Sequence, residues 1–332
     1  MGHKGPRTSI SKKTKKNLMV FSGRAHPALA EEVAEDLGTQ LVPTSAYDFA
    51  NGEIYVRYEE SVRGCDAFVI QSHATPINEA IMEQLIMVDA LKRASAKRIT
   101  VVQPFYGYGR QDKKHKGREP ISGRLMADLF KTAGADRLIS VDLHTDQIQG
   151  FFDGPVDHLM AMPILARHVR EKYGDRQLAV VSPDAGRIKV AEQWSRQLGG
   201  APLAFIHKTR DISRPNETVA NRVVGEVEGR LCVLVDDMID TAGTITKAAD
   251  AIMAEGAAGV VIAATHPIFS PPAVERMTAC SAEEIIVTNT LPLTPEQHFE
   301  GLTVLSIAPL ISAAIREVFE DGSVTSLFEG RA

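Results

Sequence analysis

The sequence predicts an α/β protein with two tandem, related domains, each a mainly parallel sheet flanked by helices. Short apolar runs rich in β-branched residues alternate with helical patterns along the chain, which is typical of parallel sheets. The length of 332 residues is enough for two domains of ordinary size. Stretches of the first half also recur in altered form in the second half. These three observations together predict the fold class.

The individual elements are predicted from their apolar patterns. Strands are expected where four or five apolar residues lie between polar or glycine-containing turns. Nine segments fit: Leu18–Phe21, Ala67–Ile70, Ile99–Gln103, Leu138–Val141, Leu178–Val181, Leu231–Val235, Val260–Ala263, Ile285–Thr288 and Thr303–Ile307. Helices are expected where apolar residues recur at helical spacing, in several cases just before a glycine. Eight segments fit: Pro27–Leu37, Ile77–Ala94, Ile121–Ala133, Pro163–Tyr173, Arg187–Leu198, Thr244–Glu255, Ala273–Thr278 and Leu310–Phe319.

An internal repeat supports the duplication. Residues 126–144 align with residues 248–266 without a gap, at a shift of 248 − 126 = 122 positions and with five identities, a histidine at the end among them. Residues 20–38 and 181–199 form a second, weaker pair. The same order of strand, polar loop and helix surrounds the stronger pair, so we interpret the halves as related domains. The alternative is that any two α/β units look this similar.

The domain boundaries follow from the repeat. We expect a first domain at 17–160 and a second at 161–309, with the C-terminal segment 310–328 packing on the first domain. Residues 1–16 contain six Lys or Arg and no acidic residue, which predicts a flexible basic tail. The whole chain carries a net charge of −5, so the remainder carries −5 − 6 = −11 and would repel a nucleic-acid backbone. We therefore expect no nucleic-acid partner.

Composition excludes further classes. Hydrophobic residues make up 44% of the chain, which is enough for a large core and argues against disorder. No apolar run approaches the ~18 residues of a membrane span, so we expect no membrane partner. The three cysteines are an odd number without the spacing of a metal site. This usage predicts a reducing compartment, and hence a cytoplasmic protein.

An acidic stretch after a predicted strand is the first candidate site. The strand is expected to end at Val235, and acidic and then small residues follow it: Asp236, Asp237, Asp240, Thr241, Ala242, Gly243 and Thr244. Small residues at a helix N-terminus let backbone N–H groups converge on an anion. Paired carboxylates suit the vicinal hydroxyls of a sugar. The stretch predicts a sugar-phosphate site, with an ordinary acidic loop and helix cap as the alternative.

A loop rich in aromatic and basic residues is the second candidate. Phe105, Tyr106 and Tyr108 alternate with glycines, and Arg110 begins a run of basic residues. Guanidinium groups suit phosphate oxygens, so this composition predicts a polyphosphate with an attached ring. The alternative is a solvated basic loop. No Gly-Lys dipeptide occurs in the chain, which excludes a Walker A loop.

These residues closely resemble those of ribose-phosphate pyrophosphokinases of class I, also called PRPP synthetases. The stretch VDDMIDTAGT resembles the phosphoribosyl-binding loop of the phosphoribosyltransferase-type fold. Further motifs of the family are FANGEIYVRYEESVRGCD, YGYGRQDKKHKGREPIS, SVDLHTDQIQGFFDGPVDHL, VSPDAGR, ATHPIFS and SVTSLF. The resemblance covers residues 17–328 and implies two phosphoribosyltransferase-like domains.

The resemblance implies an activity. It is the transfer of the β,γ-diphosphate of ATP to the C1 hydroxyl of ribose 5-phosphate, giving 5-phosphoribosyl 1-diphosphate and AMP for nucleotide biosynthesis. Mg²⁺ is the implied cofactor, ATP and ribose 5-phosphate are the implied small-molecule partners, and the implied assembly is a homo-oligomer, a hexamer under allosteric control. The alternative is a non-catalytic regulatory homologue that binds the same ligands.

The resemblance also implies roles for residues. The implied catalytic pair is Lys208 and Arg210, and Arg210 also contacts ribose 5-phosphate. The implied ATP-binding residues are Arg110 and Gln111, with Phe49, Asn51, Gly52 and Glu53 reaching the adenine on a neighbouring subunit. Asp236 and Asp237 take the ribose hydroxyls, and Asp240, Thr241, Ala242, Gly243 and Thr244 hold the 5-phosphate. His144 and Asp184 lie at the Mg²⁺ sites, and Ser323 and Thr325 are implied allosteric anion contacts.

Two points qualify these roles. The family often has Lys-Arg-Arg-Pro in its catalytic loop, whereas this chain has Thr209 between Lys208 and Arg210. The spacing of the two basic residues is kept, so we expect activity. Mg²⁺ prefers oxygen ligands, so His144 is expected either at the metal or on a phosphate or metal-bound water.

Overall fold

The computed structural model describes residues 16–209 and 220–328. Most of the basic tail and Arg210 therefore lie outside the described residues. The first half contains β1 (Leu18–Ser22), α1 (Pro27–Asp36), β2 (Thr44–Asp48), β3 (Ile54–Tyr58), β4 (Asp66–Ile70), α2 (Ile77–Arg93), β5 (Arg98–Gln103), α3 (Ser122–Ala133), β6 (Arg137–Val141) and β7 (Val156–Leu159). The second half contains α4 (Met162–Tyr173), β8 (Leu178–Ser182), α5 (Ile188–Gln197), β9 (Leu203–Thr209), β10 (Ala220–Val224), β11 (Leu231–Ile239), α6 (Gly243–Ala254), β12 (Gly259–Pro267), α7 (Ala273–Thr278), β13 (Glu284–Thr288), β14 (Leu302–Leu305) and α8 (Ala308–Phe319).

Two sheets carry the architecture. The first has five strands in the order β1-β4-β5-β6-β7, all parallel. The second has seven in the order β10-β9-β8-β11-β12-β13-β14, in which β10 alone is antiparallel to its neighbour. Helices cover the sheets, so central strands such as β4 and β12 are buried along their whole length. The predicted α/β fold with mainly parallel sheets is confirmed.

The C-terminal helix α8 contacts the first half, although it follows the last strand of the second sheet. The Ser312 hydroxyl donates to the Asp36 carboxylate at the end of α1, and Arg316 donates to the Asp36 carbonyl at 3.3 Å. One apolar core joins α1, α4 and α8 with both sheets. The expected domain boundaries stay a prediction, which the strand membership of the two sheets and the position of α8 support.

The repeat has a structural counterpart in its stronger pair only. Residues 126–144 and 248–266 each contain a helix followed by a strand, α3–β6 and α6–β12, beside β5 and β11 respectively. The weaker pair is strand and helix in both copies, β1–α1 and β8–α5. However, β1 lies at the edge of its sheet, whereas β8 lies between β9 and β11. The two halves therefore differ in where this unit joins the sheet.

The structure adds strands at β2, β3, β7, β9 and β10, where the sequence predicts none. The antiparallel hairpin β2–β3 shows why: its residues are half-buried or exposed, so no continuous apolar run marks them. Strand β11 is also longer than expected. It continues to Ile239 and pairs along its length with the equally long β12, with Asp236 opposite Ala264. The expectation that the strand ends at Val235 is wrong, and Asp236 and Asp237 are strand residues.

Within 16–209 and 220–328, no helix is both long enough and apolar enough to cross a membrane. Cys65, Cys232 and Cys280 all have free thiols. The compartment stays a prediction.

Candidate functional site

A cavity of about 720 Å³ lies between the two halves, at the carboxyl ends of the parallel strands. This is where parallel α/β sheets bind ligands, because the loops entering the helices meet there. Arg110 and Gln111 line it from the loop after β5, and His144 from the loop after β6. Asp240 lines it from the end of β11. The structure thus brings the two candidate loops to one cavity, although Asp240 alone among the predicted residues of the acidic stretch lines it.

An acidic pair lies beside this cavity on β11. The carboxylate of Asp237 accepts from His144 Nδ1 at 2.7 Å and pairs with Arg187 Nη2 at 2.9 Å. The Nε of the same arginine lies 3.2 Å from Asp236 Oδ1. Arg187 also approaches His144 Nδ1 to 3.1 Å, but that nitrogen cannot accept while it donates to Asp237. We therefore assign the Nδ1–H of His144 to Asp237 and treat the arginine contact as close packing.

The two carboxylates differ in protonation. Burial and the neighbouring charge of Asp237 raise the pKa of Asp236. Burial opposes ionisation of Asp237 too, but the hydrogen bond from His144 and the charge of Arg187 lower its pKa. The pair therefore favours a single negative charge, centred on Asp237.

The turn from Asp240 to Thr244 leads from β11 into α6. Ala242 has a left-handed backbone with φ of 59°, which alanine rarely adopts. Two contacts hold the turn: Arg276 Nη1 donates to the Thr241 carbonyl at 2.8 Å, and Thr246 Oγ1 donates to the Ala242 carbonyl at 3.0 Å. A side chain at Gly243 would come within 3.0 Å of Arg276. The first N–H groups of α6 have no helical partner, so the turn has the geometry of an anion site.

An ion pair joins the two candidate loops. Arg110 Nη1 lies 2.6 Å from Asp240 Oδ2. Burial tends to raise the pKa of Asp240, but hydrogen bonds from Ser270 and Arg110 outweigh it and lower that pKa. Arg110 is more than half exposed, so the pair is accessible to ligands.

The structure does not bring every predicted residue to the cavity. Phe49, Asn51, Gly52 and Glu53 lie at the exposed tip of the β2–β3 hairpin, and none lines the cavity. Ser323 and Thr325 are exposed in the C-terminal turn. Lys208 lies on β9, where only its backbone is described, and Arg210 lies outside the described residues. Asp184 precedes a short helical turn, and its Oδ1 accepts from the Gly186 N–H at 2.8 Å.

Arg187 is the site residue that sequence reasoning missed. It belongs to the motif VSPDAGR, so the motif was the available signal. Its role depends on the pairing of β8 with β11, which places the loop after β8 beside the acidic pair. That pairing cannot be read from the motif itself.

Comparison with known proteins identifies the family. Residues 18–134 match the N-terminal domain of ribose phosphate pyrophosphokinase, and residues 201–329 match the phosphoribosyl synthetase-associated domain. The chain is 64% identical over 325 residues to the ribose-phosphate pyrophosphokinase of Corynebacterium glutamicum, covering 98% of this chain and 100% of that protein. It is 63% identical to the Mycobacterium leprae enzyme, covering 96% of this chain and 97% of that one. The chain belongs to the ribose-phosphate pyrophosphokinase family.

A solved structure agrees with this assignment. The phosphoribosylpyrophosphate synthetase of Mycobacterium smegmatis superposes with a TM-score of 0.89 at 62% identity, covering 92% of this chain and 100% of that one. The predictions of the family and of a transferase enzyme of nucleotide biosynthesis that binds ATP are confirmed. The roles of individual residues stay predictions.

Proposed function

We propose that this chain transfers the β,γ-diphosphate of ATP to the C1 hydroxyl of ribose 5-phosphate, giving 5-phosphoribosyl 1-diphosphate and AMP. The observation that carries the proposal is the single cavity that Arg110 and Gln111 share with Asp240. A nucleotide on the first loop and a sugar phosphate on the second would meet between them. The family supplies the identity of both substrates.

The sugar half is the acidic pair with the turn that follows it. The 5-phosphate fits the N-terminus of α6, where the left-handed Ala242 directs backbone N–H groups to one side. The carboxylates of Asp236 and Asp237 accept hydrogen bonds from vicinal ribose hydroxyls. Arg187 holds both carboxylates in place before the sugar arrives.

The nucleotide half needs more than one subunit. Arg110 and Gln111 line the cavity of their own chain, whereas Phe49, Asn51, Gly52 and Glu53 do not. The exposed hairpin tip is therefore free to reach the adenine of a neighbouring subunit. This arrangement requires a homo-oligomer, and we propose the hexamer that the family resemblance implies. Ser323 and Thr325 are then proposed contacts for an allosteric anion such as phosphate or ADP.

Mg²⁺ suits the oxygen donors of this site. Mg²⁺ is commonly held by one or two carboxylates together with substrate phosphates and waters. Asp184, in the loop after β8, offers such a carboxylate. His144 does not fit as a direct ligand, because its Nδ1 is engaged by Asp237 and Mg²⁺ prefers oxygen. We place His144 on a phosphate or a metal-bound water through its other nitrogen.

The mechanism follows from this placement. The anomeric hydroxyl attacks the β-phosphorus of ATP in line and expels AMP, without a covalent enzyme intermediate. Bound Mg²⁺ supplies neutralisation of the phosphate charge. Lys208 and Arg210 would stabilise the negative charge that spreads in the transition state, and one such donor contributes ~3–4 kcal/mol. Positioning both substrates lowers the barrier by a further ~7–11 kcal/mol at the upper end.

An assay for AMP tests the proposal. The protein is mixed with ATP, Mg²⁺ and ribose 5-phosphate, and we expect AMP only when the sugar phosphate is present. Lys208→Ala should lower kcat at least about a hundredfold, as expected for loss of a transition-state donor, while ribose 5-phosphate still binds by calorimetry. Lys97→Ala is the matched control, because Lys97 is exposed at the amino end of β5, away from the cavity.

Two outcomes would count against the proposal separately. Absence of AMP from the wild-type protein would reject the activity and favour the non-catalytic homologue. Near-normal turnover of Lys208→Ala would reject the role of Lys208 alone.

A further inference from the structure

We propose that His73 is a positioning residue for the nucleotide turn, which we define as Phe105–Gln111, because its ring accepts a hydrogen bond from the Gly107 N–H. The distance from Gly107 N to His73 Nδ1 is 2.8 Å, and both residues are buried. The role of the turn itself rests on the proposed function, since Arg110 and Gln111 are its proposed ATP contacts.

The tautomer of His73 is determined by Gln84, a buried residue of α2. The Gln84 amide nitrogen donates to the Val69 carbonyl at 3.1 Å and to the Val102 carbonyl at 3.3 Å. Those acceptors fix the amide orientation, so Gln84 Oε1 must face His73 Nε2, 3.0 Å away. An oxygen can only accept, so Nε2 carries the proton and donates. Nδ1 of the neutral ring is then an obligatory acceptor.

A second glutamine supports the same orientation. Gln103 Nε2 donates to Gln84 Oε1 at 3.3 Å, while Gln103 Oε1 is the one buried side-chain polar atom without a partner in the described part of the chain. Rotating Gln103 would turn its oxygen toward the oxygen of Gln84. The network therefore has one arrangement, running from the carbonyls of β4 and β5 through Gln84 and His73 to Gly107.

Packing makes the histidine a rigid anchor. Its ring stacks on Phe130 with centroids 5.8 Å apart. Burial lowers the pKa of His73 to about 4, so the ring stays neutral and keeps its acceptor at physiological pH. A Cβ at position 107 would lie 3.0 Å from His73 Nδ1, so the turn approaches the ring as closely as glycine permits.

The hydrogen bond matters because the turn carries the proposed ATP contacts. Tyr106 OH donates to the Gly123 carbonyl at 2.7 Å, and Tyr108 OH donates to Asn78 Oδ1 at 2.5 Å. These side-chain bonds hold the two tyrosines, whereas His73 holds the backbone between them. Without that acceptor, the buried Gly107 N–H would have to turn toward water. ATP binding would then have to restore the position of Arg110.

Two substitutions distinguish the roles of the two ring nitrogens of His73. His73→Asn keeps an acceptor where Nδ1 lies, so it can still bind the Gly107 N–H. His73→Gln keeps a donor where Nε2 lies, so it can still bind Gln84 but leaves Gly107 without an acceptor. His73→Ala lacks both contacts and gives the same contrast with His73→Asn if His73→Gln does not fold.

Steady-state kinetics and hydrogen exchange test the proposal on the full-length protein. We expect His73→Gln to raise KM for ATP about tenfold or more, with KM for ribose 5-phosphate within about twofold, because an unmade buried hydrogen bond is costly. His73→Asn should raise KM for ATP less than threefold. Exchange mass spectrometry should show a faster Gly107 amide in His73→Gln than in the wild type or His73→Asn.

Equal increases in the ATP KM of both variants, or a Gly107 amide that stays equally protected in His73→Gln, would overturn the proposal. A wild-type protein that forms no AMP would instead reject the proposed function. The exchange measurement would still decide whether His73 holds Gly107.

Discussion

His144 and His266 hold equivalent positions in the two copies of the repeat, yet they have different surroundings. His144 follows the end of β6, is partly exposed at the cavity and donates to Asp237. His266 lies inside β12 and is 1% exposed. Its Nδ1 accepts from Thr290 Oγ1 at 2.9 Å, and its Nε2 donates to the Asp142 carbonyl at 3.1 Å.

The length of the neighbouring strand explains the difference. β6 ends at Val141, so the residues after it turn toward the cavity. β12 continues to Pro267 because β11 runs beside it to Ile239, and this keeps His266 within the sheet. In the first half, this repeat position holds His144, which lines the cavity. In the second half it holds His266, a buried residue that hydrogen-bonds to Asp142 of the first half.

Removing the partly exposed His144 should have the largest effect, and this effect should be on turnover. We expect His144→Ala to lower kcat about a hundredfold, because the substitution removes the donor that we propose for a phosphate or a metal-bound water and leaves Asp237 without its hydrogen bond. Arg187 still pairs with Asp237 in this variant, so the unfolding midpoint should fall less than in His266→Ala. His144→Asn keeps a donor at the Nδ1 position and should recover part of the activity. A kcat of His144→Ala equal to that of the wild type would show that His144 has no role in turnover.

Removing the buried histidine should mainly lower stability. We expect His266→Ala to lower the free energy of unfolding by about 2–4 kcal/mol, because it opens a cavity and leaves the Asp142 carbonyl without its donor. Urea unfolding at neutral pH measures this value. His298→Ala is the control, because His298 is exposed, and its effect should stay within about 0.5 kcal/mol. Equal stability of the two variants would show that His266 is not a structural contact.

The pH dependence of stability should give the smallest effect. Burial lowers the pKa of His266, so the native state keeps it neutral while the unfolded chain binds a proton near pH 6.5. The stability that neutral His266 contributes should therefore be lost as pH falls below about 6.5, by at most ~1.4 kcal/mol per pH unit for one group. His26, His73 and His158, whose pKa values burial also lowers, change the wild-type stability in the same direction, whereas the raised pKa of Asp236 acts in the opposite direction.

Measuring the free energy of unfolding of His266→Gln across pH 5.5–7.5 isolates the contribution of His266 to the pH dependence. The variant should show a shallower slope than the wild type over that range. Parallel curves for the two proteins would contradict a buried, neutral His266.

Much of the fold could be predicted from the sequence, because its central strands are continuous apolar runs. β4, β5 and β13 begin and end within a residue of their expected bounds. The hairpin β2–β3 could not be predicted in this way. The backbone N–H and C=O groups of its two strands hydrogen-bond to each other at the surface, so its side chains need not be apolar.

The candidate site could be predicted in part. The stretch from Asp236 to Thr244 predicts a sugar-phosphate site from the sequence alone, because its carboxylates and small residues are neighbours along the chain. The position of Arg187 depends on which strands pair. The hydrogen-bond network from Gln84 through His73 to Gly107 depends on which helix covers β4. Contacts between distant parts of the chain carry no local pattern, so these residues became visible only in the folded structure.

The left-handed backbone of Ala242 has a consequence for the thermodynamics of recognition. Such a conformation is unfavourable for alanine by ~1–2 kcal/mol, and the fold supplies that energy through the contacts of Arg276 and Thr246. The contacts of Arg276 and Thr246 therefore stabilise this shape without help from a ligand. The 5-phosphate that we propose for this turn would lose little affinity to ordering entropy, so its association should be governed by desolvation and charge.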